Sequence, residues 1–515
     1  MAQDGALFIG GGGVDQTEPQ ELLHRFANRH GLIAGATGTG KTITMQIMAE
    51  GFARAGVPVF LTDIKGDVGG MAMPGTPRDV LARRATKIGL HDIGYGPMPV
   101  TFWDLFGEFG HPVRATISEM GPLLLSRMLE LSDAQEGVIN AVFRLSDENG
   151  WPILDLKDLR AILAFVSENR QELSSLYGNI TTASVGAIQR RLLVLENQGA
   201  AHFLGEPALD INDLMLRTPQ GMGRVNILYA EKLMRTPRLY ATFLLWLLSE
   251  LFEELPEVGD TDKPKLVFFF DEAHLLFNGA PRVLIEKVER VARLIRSKGV
   301  GVYFSTQNPD DVPDTILSQL GNRVQHALRA FTARDQQALR RAAQTYRPNP
   351  RFSTEEAIRD VGTGEAVTSF LDARGAPGIV ERTLIRPPGS AMGPIEGQMR
   401  AQVIAQSPLA GKYDQTIDRD SAHEMLARRA EAAAREAAAA DDAQGADREA
   451  PREFNRARRY QPPGGRAGSA SKPVSSRSRN DSTLDAFAKS FARQLGTRSG
   501  QALARGVLGT LFRGR

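Results

Sequence analysis

The sequence predicts an α/β fold with a mostly parallel central sheet, and three observations support this prediction. A glycine loop at residues 35–42 fits G-x-x-x-x-G-K-[ST], with an apolar stretch before it and helical spacing after it. Further apolar runs that end in polar residues have the character of buried parallel strands. Residues 111–204 show helical spacing, which predicts an all-helical subdomain inserted into the α/β core.

The glycine loop offers backbone donors and a cation to a single anion. Its members are Gly35, Ala36, Thr37, Gly38, Thr39, Gly40, Lys41 and Thr42. Glycines allow successive N–H groups to turn toward a polyphosphate, and the helix that begins near Lys41 directs the positive end of its dipole there. We expect Lys41 to reach the outer phosphates and Thr42 to place its hydroxyl on Mg²⁺. The alternative is a chance glycine-rich turn, which the flanking strand and helix disfavour.

The composition is that of a soluble globular protein with room for more than one domain. The chain has 515 residues, of which 42% are hydrophobic and 24% are charged. It contains no cysteine, which excludes disulfides and thiolate metal sites and suits a reducing cytoplasm. No apolar run approaches the ~18 residues of a membrane span, and the N-terminal segment lacks a signal-peptide pattern. We therefore expect a cytoplasmic protein without a membrane span.

Charge is distributed unevenly along the chain. The net charge is +2, but residues 451–515 contain fourteen lysines and arginines against three acids, a balance of +11, which leaves −9 for the rest. Basic tails contact nucleic acid or acidic partners in many proteins, and a solvated disordered tail is an equally good interpretation. The end of this tail is amphipathic, so a helix there needs a partner, a protein groove first and an anionic membrane surface second.

Two apolar segments are predicted on either side of the glycine loop. Residues 6–9 form a short apolar piece, and the four glycines that follow predict a flexible turn. Residues 57–63 are expected to form a buried strand that ends at Asp63, on the sheet edge where ligands bind. Asp63 can there orient the water shell of a metal or a neighbouring lysine. Alternatively, Asp63 is an N-cap or turn residue for residues 64–67.

Two adjacent acids follow the most apolar of the predicted strands. The run KLVFFFDEAH at residues 265–274 places Asp271 and Glu272 at its C-terminal end. Beside a phosphate loop, Asp271 would hold the ligand shell of Mg²⁺, and Glu272 would polarise the water that attacks the γ-phosphate. The alternative, two solvated loop residues, is disfavoured by the presence of that loop. His274 is interpreted as a structural histidine.

The remaining sequence predicts the last strands of the core, followed by segments outside it. Residues 300–305 predict a strand that finishes at Thr306 and Gln307, where a polar side chain can sense the γ-phosphate or its water. Late strands are indicated at residues 364–371 and 379–385. The predicted organisation is a nucleotide-binding core in two parts (1–110 and 206–400), a helical insertion (111–205), an alanine-rich helix (401–445), a disordered linker (446–482) and an amphipathic basic helix (483–515).

Together these segments resemble the HerA/FtsK-type P-loop ATPases over roughly residues 5–400. The phrases RHGLIAGATGTGKT, DIKGDVGG, RATISEMGPLLLSRML and GNRVQHALRAFTARD are especially similar to the HerA-like bacterial branch. The resemblance implies a RecA-like αβα domain that uses ATP and Mg²⁺. It also implies a homo-oligomer, a hexameric ring, that moves double-stranded DNA through its pore.

The resemblance also implies roles for individual residues. Lys41 and Thr42 match the phosphate-loop pair, and Asp271 matches the acid of the metal site. Glu272 matches the catalytic glutamate, and Gln307 matches the polar sensor at the end of the next strand.

An arginine is expected to act on the site of a neighbouring subunit. In FtsK-like chains this arginine precedes a small-small-Gly turn. The nearest match is Arg296, before Ser297-Lys298-Gly299, where Lys298 departs from the small residue of the pattern. A cation supplied in trans by Arg296 would stabilise charge on the transferring phosphoryl group. The alternative is a surface arginine on a charged helix.

The expected function is that of an ATP-hydrolysing ring motor, a double-stranded DNA translocase or helicase. Two alternatives stay open: an ATPase that remodels or exports protein, and a nucleotide-gated scaffold that hydrolyses slowly. A nuclease or another protein is a further expected partner. HerA itself carries an N-terminal β-barrel, whereas only residues 1–34 precede the loop here, so nuclease docking by that region is not implied. FtsK's membrane segments have no counterpart in the sequence, which disfavours a role in cell division.

Overall fold

The computed structural model describes residues 5–259, 261–277 and 282–448. Within these residues twelve strands form one sheet. The strands are β1 (Ala6–Gly12), β2 (Glu18–Leu23), β3 (Gly31–Ala34), β4 (Val59–Asp63), β5 (Val100–Asp104), β6 (His111–Pro112), β7 (Val225–Tyr229), β8 (Leu266–Phe270), β9 (Val300–Thr306), β10 (Asn322–Gln325), β11 (Glu365–Ser369) and β12 (Glu381–Ile385).

Helices connect most of the strands, together with short 3₁₀ turns. The α-helices are α1 (Lys41–Arg54), α2 (Asp79–Lys87), α3 (Ile117–Met128), α4 (Asp133–Asn149), α5 (Leu156–Glu168), α6 (Arg170–Tyr177), α7 (Thr182–Asn197), α8 (Ala200–Phe203), α9 (Pro237–Glu254), α10 (His274–Phe277), α11 (Arg282–Ile295), α12 (Asp314–Leu317), α13 (Ala333–Gln344), α14 (Thr354–Asp360), α15 (Gly397–Ala405) and α16 (Ala422–Arg448). None of the helices in the described ranges is long and apolar enough to cross a membrane.

The strand order across the sheet is β2-β1-β12-β11-β10-β3-β9-β8-β4-β7-β5-β6. Neighbours from β10 to β6 pair in parallel, and the pairings among β10, β11, β12, β1 and β2 are antiparallel. The prediction of an α/β fold with a mostly parallel sheet is therefore confirmed. The glycine loop follows β3, which lies inside the parallel part, so its neighbours on both sides end at the same edge.

The N-terminal glycines do not form the predicted flexible turn. Gly10, Gly11 and Gly12 belong to β1, which pairs with β2 and β12. A Cβ atom on Gly10 would lie 2.2 Å from the carbonyl oxygen of Leu384, and one on Gly11 would lie 1.9 Å from that of Gln16. The glycines are therefore required by close backbone packing within the sheet rather than by flexibility.

Both faces of the parallel part are buried, as expected for parallel strands covered by helices. On one face Phe52 of α1 packs against Phe269 and Tyr303, with ring centroids 6.4 and 6.1 Å away. On the other face, Phe60 and Phe268 have ring centroids 5.0 Å apart. Because side chains alternate along a strand, the aromatic residues of β8 pack on both faces of the sheet. This packing fixes the position of Asp271 and Glu272, which follow β8 at the sheet edge.

The chain divides into two compact units. One contains Met1–Glu130 and Arg191–Asp418, and therefore the whole sheet. The other contains Leu131–Arg190 and the chain from Arg419 onward; in it α5 packs against α16. The stretch predicted as a helical insertion contains α3 to α8, although its first two residues form β6. The predicted linker from 449 onward and the amphipathic basic helix at residues 483–515 lie outside the described residues.

Candidate nucleotide-binding site

Four adjacent strands bring the predicted site residues to one edge of the sheet. The order β3-β9-β8-β4 is parallel throughout. The glycine loop follows β3, Gln307 follows β9, the pair Asp271 and Glu272 follows β8, and Asp63 ends β4. Residues as far apart in sequence as Gly35 and Gln307, which are separated by 272 positions, are thereby placed at the same edge. This edge is where parallel α/β sheets bind ligands.

The glycine loop has a backbone conformation that requires glycine at its bends. Gly35, Gly38 and Gly40 have φ values of 152°, 78° and 117°. A Cβ atom on Gly35 would also lie 2.5 Å from Cβ of His326. Hydrogen bonds hold the loop to its neighbours, from the Gly35 N–H to the Thr306 carbonyl at 3.2 Å and from the Ala36 N–H to the Ala327 carbonyl at 2.8 Å. Thr37 and Gly38 form the exposed tip.

The N-terminus of α1 faces the inside of this loop. The helix begins at Lys41, and its N-cap, Gly40, has a left-handed backbone and provides no side-chain cap. The first N–H groups of a helix lack acceptors within the helix, so an anion is the natural partner here. The Lys41 ammonium donates to the carbonyl oxygens of Gly35 at 2.6 Å and Ala36 at 3.3 Å, which positions it over the loop.

Electrostatics link Lys41 to the acids that follow β8. Burial lowers the pKa of Lys41, and the negative charges of Glu272, Asp271 and Asp67 act against that shift. These acids are therefore close enough to act on the lysine, so the loop and the acid pair share one site. The positive charge of Lys65 adds to the lowering.

Asp271 is buried and held by two strands. Its backbone N–H donates to the hydroxyl of Thr62 in β4 at 2.9 Å, and its Oδ1 accepts from the hydroxyl of Ser305 in β9 at 2.8 Å. Burial raises the pKa of Asp271, the adjacent charge of Glu272 raises it further, and the Ser305 hydrogen bond opposes both. Burial makes it costly for this carboxylate to ionise, and a nearby cation would stabilise the ionised form. Asp271 is therefore suited to bind a metal ion.

Glu272 has a strained backbone and a fully engaged carboxylate. Its φ of 50° is rare for a residue with a side chain and is typical of functional sites. Oε1 lies 2.6 Å from Nζ of Lys65, and Oε2 lies 3.4 Å from Nε2 of Gln307 and 3.3 Å from Nδ1 of His274. Burial raises the pKa of Glu272, but the hydrogen bond and charge of Lys65 outweigh it and lower that pKa overall.

Asp63 organises the loop that follows β4. Its carboxylate accepts hydrogen bonds from the backbone N–H groups of Gly66, Asp67 and Val68 at 2.8, 3.1 and 3.3 Å. Burial, followed by the charge of Asp67, raises the pKa of Asp63 to about 7. These contacts are those of a turn residue, the alternative role considered for it. The turn also directs Lys65 to Glu272 and Asp67 to Thr42, whose hydroxyl donates to Asp67 Oδ2 at 3.3 Å.

Arg296 is the predicted site residue that the structure does not bring to this edge. It lies in the 3₁₀ turn Arg296–Lys298, before β9, whereas Gln307 follows the other end of that strand. Seven residues at about 3.3 Å each separate the two ends by ~20 Å. The Arg296 carbonyl accepts from Nδ2 of Asn28, which precedes β3. Action of Arg296 on a neighbouring subunit's site stays a proposal, and a surface arginine on a charged helix stays the alternative.

Sequence reasoning missed four side chains that complete the site. Lys65 and Asp67 reach it from the loop after β4, Ser305 from β9, and His326 from the end of β10. His326 is buried and accepts from the Thr44 hydroxyl at 2.8 Å, while its Nδ1 donates to the Glu365 carbonyl at 2.9 Å. A signal for Lys65 and Asp67 was available, because both directly follow the end of the strand predicted at residues 57–63.

The residues present fit a magnesium ion held mainly by phosphates. Across the described ranges, no group of three or more His, Cys, Asp or Glu side chains could hold a metal ion. Magnesium in nucleotide sites needs no such group, because it keeps water and phosphate oxygens and takes one or two protein ligands. Thr42 and Asp271 provide a hydroxyl and a carboxylate at this edge.

Comparison with known proteins identifies related chains. The family model described as Helicase HerA-like C-terminal matches residues 12–515. A DNA double-strand break repair helicase HerA from Pyrococcus furiosus is 23% identical over 367 residues. The aligned part covers 67% of this chain and 63% of that relative, so the chain spans less than two thirds of its length.

Two solved structures are similar to this chain. VirB4 of Thermoanaerobacter pseudethanolicus superposes with a TM-score of 0.50 at 14% identity, covering 75% of this chain and 97% of that one. The plasmid coupling protein TrwB in complex with ADP and Mg²⁺ has a TM-score of 0.46 at 14% identity, covering the same shares of the two chains. The likeness to VirB4 confirms the predicted RecA-like P-loop fold, and at this identity it shows the fold alone.

Proposed function

The chain belongs to the Helicase HerA-like C-terminal family, and from this premise we propose that it hydrolyses ATP with Mg²⁺ to drive movement along double-stranded DNA. The observation that carries the hydrolysis is the convergence of Lys41 and Glu272 at one sheet edge, with the charge of each acting on the pKa of the other. The fold of β3, the glycine loop and α1 supports the same chemistry.

The phosphates are held by the loop. The free N–H groups at the start of α1 and the Lys41 ammonium bind the β- and γ-phosphates. Thr42 and Asp271 would hold Mg²⁺, which would supply positive charge beside the phosphate oxygens. Gly38 and Gly40 keep the loop backbone close to the nucleotide because neither carries a side chain.

The acids and their neighbours act on the water. Glu272 takes a proton from a water molecule while the oxygen of that water attacks the γ-phosphorus. The bond between the γ-phosphorus and the bridging oxygen breaks, and its electron pair leaves with ADP. Gln307, which lies 3.4 Å from Glu272, orients the water. Arg296 of a neighbouring copy stabilises charge on the transferring group.

The second part of the proposal is that ATP hydrolysis drives movement along DNA. Its support is the relative named as a DNA double-strand break repair helicase. The placement of Arg296 away from its own site favours a ring of identical subunits, for which we propose a hexamer in the cytoplasm. Protein remodelling or export, and a slowly hydrolysing scaffold, are the competing functions.

Stimulation by DNA separates these functions. The ATPase rate is measured with and without saturating duplex DNA at low salt, because phosphate contacts weaken steeply as salt rises. A Glu272→Gln preparation serves as the background control. We expect duplex DNA to raise the rate severalfold, and mass measurement with a non-hydrolysable nucleotide to give six subunits. An unchanged rate would remove the DNA function and leave the two competitors.

A further inference from the structure

A cavity of about 450 Å³ adjoins the site on the side of β4, β7 and β5. Lys65 and Gly66 line it from the loop after β4, Tyr229 from the end of β7, and Gly397 and Arg400 from α15. The Lys65 side chain is 40% exposed and pairs with Glu272, so one residue belongs to both the cavity wall and the candidate site.

The cavity contains a buried cation, Arg400, that forms no ion pair with any acid in the described part of the chain. Arg400 is 9% exposed, and its guanidinium lies 5.0–5.4 Å from the ring centroids of Phe102, Phe109 and Tyr229. Its Nε has no hydrogen-bond partner among the described residues. A buried unpaired donor on a cation is costly, and an anionic ligand removes that cost.

The two acids on the cavity wall both have partners, of which only that of Glu108 is a cation. Glu108 pairs with Lys232, and Glu231 accepts from the hydroxyl of Tyr229. The N-terminus of α15, a helix of nine residues with no side-chain cap, also lies at the wall through Gly397. Arg400 and these N–H groups therefore favour an anion such as a phosphate group.

Lys65 Nζ lies 2.6 Å from Oε1 of Glu272, so this oxygen is occupied and is not available to the attacking water. The remaining oxygen, Oε2, is shared by Gln307 and His274. A ligand that attracts Lys65 toward the cavity would release Oε1.

We propose that the cavity binds a backbone phosphate of duplex DNA, and that Lys65 responds by leaving Glu272 and freeing it for hydrolysis. This inference rests on the proposed function, because it names the contact by which DNA would control the ATPase. Lys65 acts here as a positioning residue: it restrains the catalytic carboxylate and does not touch the reacting atoms.

The test compares steady-state ATPase kinetics of Lys65→Met, Lys65→Arg and Arg400→Met with wild type, across a titration of duplex DNA. Lys65→Met should raise kcat without DNA at least threefold, leave the KM for ATP unchanged, and reduce stimulation by DNA to near onefold. Lys65→Arg, which keeps the cation, should restore wild-type control. Arg400→Met should raise the DNA concentration for half-stimulation at least fivefold.

The matched control for Arg400 is Arg29→Met. Arg29 also lies over an aromatic ring, that of Phe26 at 4.7 Å, but it precedes β3 at the other sheet edge. This variant should keep the wild-type half-stimulating DNA concentration. Thermal melting of each variant identifies loss of fold, and the exposed Lys65 keeps the test decisive if Arg400→Met unfolds.

Three results would overturn the inference: a lower kcat or a higher KM in Lys65→Met, unchanged fold-stimulation by DNA in that variant, or equal DNA dependence in Arg400→Met and Arg29→Met. Wild-type hydrolysis without any response to DNA would instead refute the proposed DNA function. The rate of Lys65→Met without DNA would still show whether Lys65 restrains Glu272.

Discussion

The hydroxyl of Ser305 donates a hydrogen bond to Oδ1 of Asp271 across 2.8 Å and so joins β9 to β8 at the active edge. This contact fixes the orientation of the carboxylate proposed to hold Mg²⁺. A partner of a metal ligand typically contributes tenfold to a hundredfold in metal affinity. Ser305 is therefore a positioning residue of the site, although it is not expected to contact the nucleotide.

Ser305→Ala should lower the affinity for Mg²⁺ rather than abolish turnover. Loss of the hydroxyl leaves Asp271 free to rotate, so the Mg²⁺ concentration for half-maximal ATPase rate should rise about tenfold. The matched control is Ser369→Ala in β11, where the serine is also buried and donates to the Gly378 carbonyl at 2.9 Å. Equal magnesium curves for the two variants would show that the Ser305 hydrogen bond does not contribute to metal binding by Asp271.

Lys41→Ala should reduce ATP hydrolysis to background. The ammonium is held over the loop by two carbonyl oxygens and has no replacement at that position. Lys87→Ala, which alters an exposed lysine of α2, should keep the wild-type rate. Normal turnover by Lys41→Ala in a colorimetric phosphate assay would mean that the nucleotide site has been assigned wrongly.

Glu272→Gln should bind ATP and retain it unhydrolysed. The amide keeps the size of the side chain but accepts no proton, so hydrolysis should fall by at least a hundredfold while binding of labelled ATP persists. Glu253→Gln, an exposed position near the end of α9, is the control for the same change elsewhere. Rapid hydrolysis by Glu272→Gln would place the base on another residue.

Arg296→Ala should act on neighbouring subunits. In rings mixed from wild-type and variant chains, the rate should fall faster than the fraction of wild type, because each variant chain leaves an adjacent site without its arginine. The control is Arg293→Ala, which lies one turn earlier on α11 and pairs with Glu289 at 2.7 Å. In rings that contain this variant, the ATPase rate should fall in proportion to the fraction of variant chains if the variant is inactive, and stay at the wild-type value if it is active. A proportional loss with Arg296→Ala would argue against action in trans.

His326 should make the fold sensitive to mild acid. Burial lowers the pKa of His326 from 6.5 to about 4. As pH falls below 6.5, the unfolded chain takes up this proton before the folded chain does, so stability is lost between pH 6.5 and 4. The single group should cost about 2 kcal/mol of unfolding free energy between pH 7 and 5.

Urea unfolding at the two pH values measures this cost. His326→Gln should lose about 2 kcal/mol less than wild type on acidification. The same loss in both proteins would show that burial does not keep the imidazole of His326 neutral in the folded chain.

The parts of the site carried by local sequence were predictable. Lys41 and Thr42 follow a strand and begin a helix, and Asp271 and Glu272 directly follow an apolar strand, so spacing alone places them on a sheet edge. The contributions of Ser305 and His326 depend on which strands are neighbours. The order β10-β3-β9-β8 sets these contacts, and no local pattern in the chain encodes it.

Backbone packing determines the surroundings of the N-terminal glycines and of Asp63. Gly10 and Gly11 resemble a flexible turn in the sequence, yet they lie in β1 because Leu384 and Gln16 approach them closely. The sequence leaves two roles open for Asp63, a supporting acid of the metal site and a turn residue; its carboxylate accepts from three backbone N–H groups, and the supporting role stays a prediction. In both cases the deciding partner is a backbone group, which side-chain patterns do not reveal.

A structure of the chain bound to Mg²⁺ and a non-hydrolysable ATP analogue tests the central assignment most directly. We expect the γ-phosphate within hydrogen-bonding distance of Lys41 Nζ, the metal between Thr42 and Asp271, and Glu272 facing the γ-phosphorus. A nucleotide bound elsewhere, or bound at the loop with Asp271 and Glu272 turned away from it, would contradict the account.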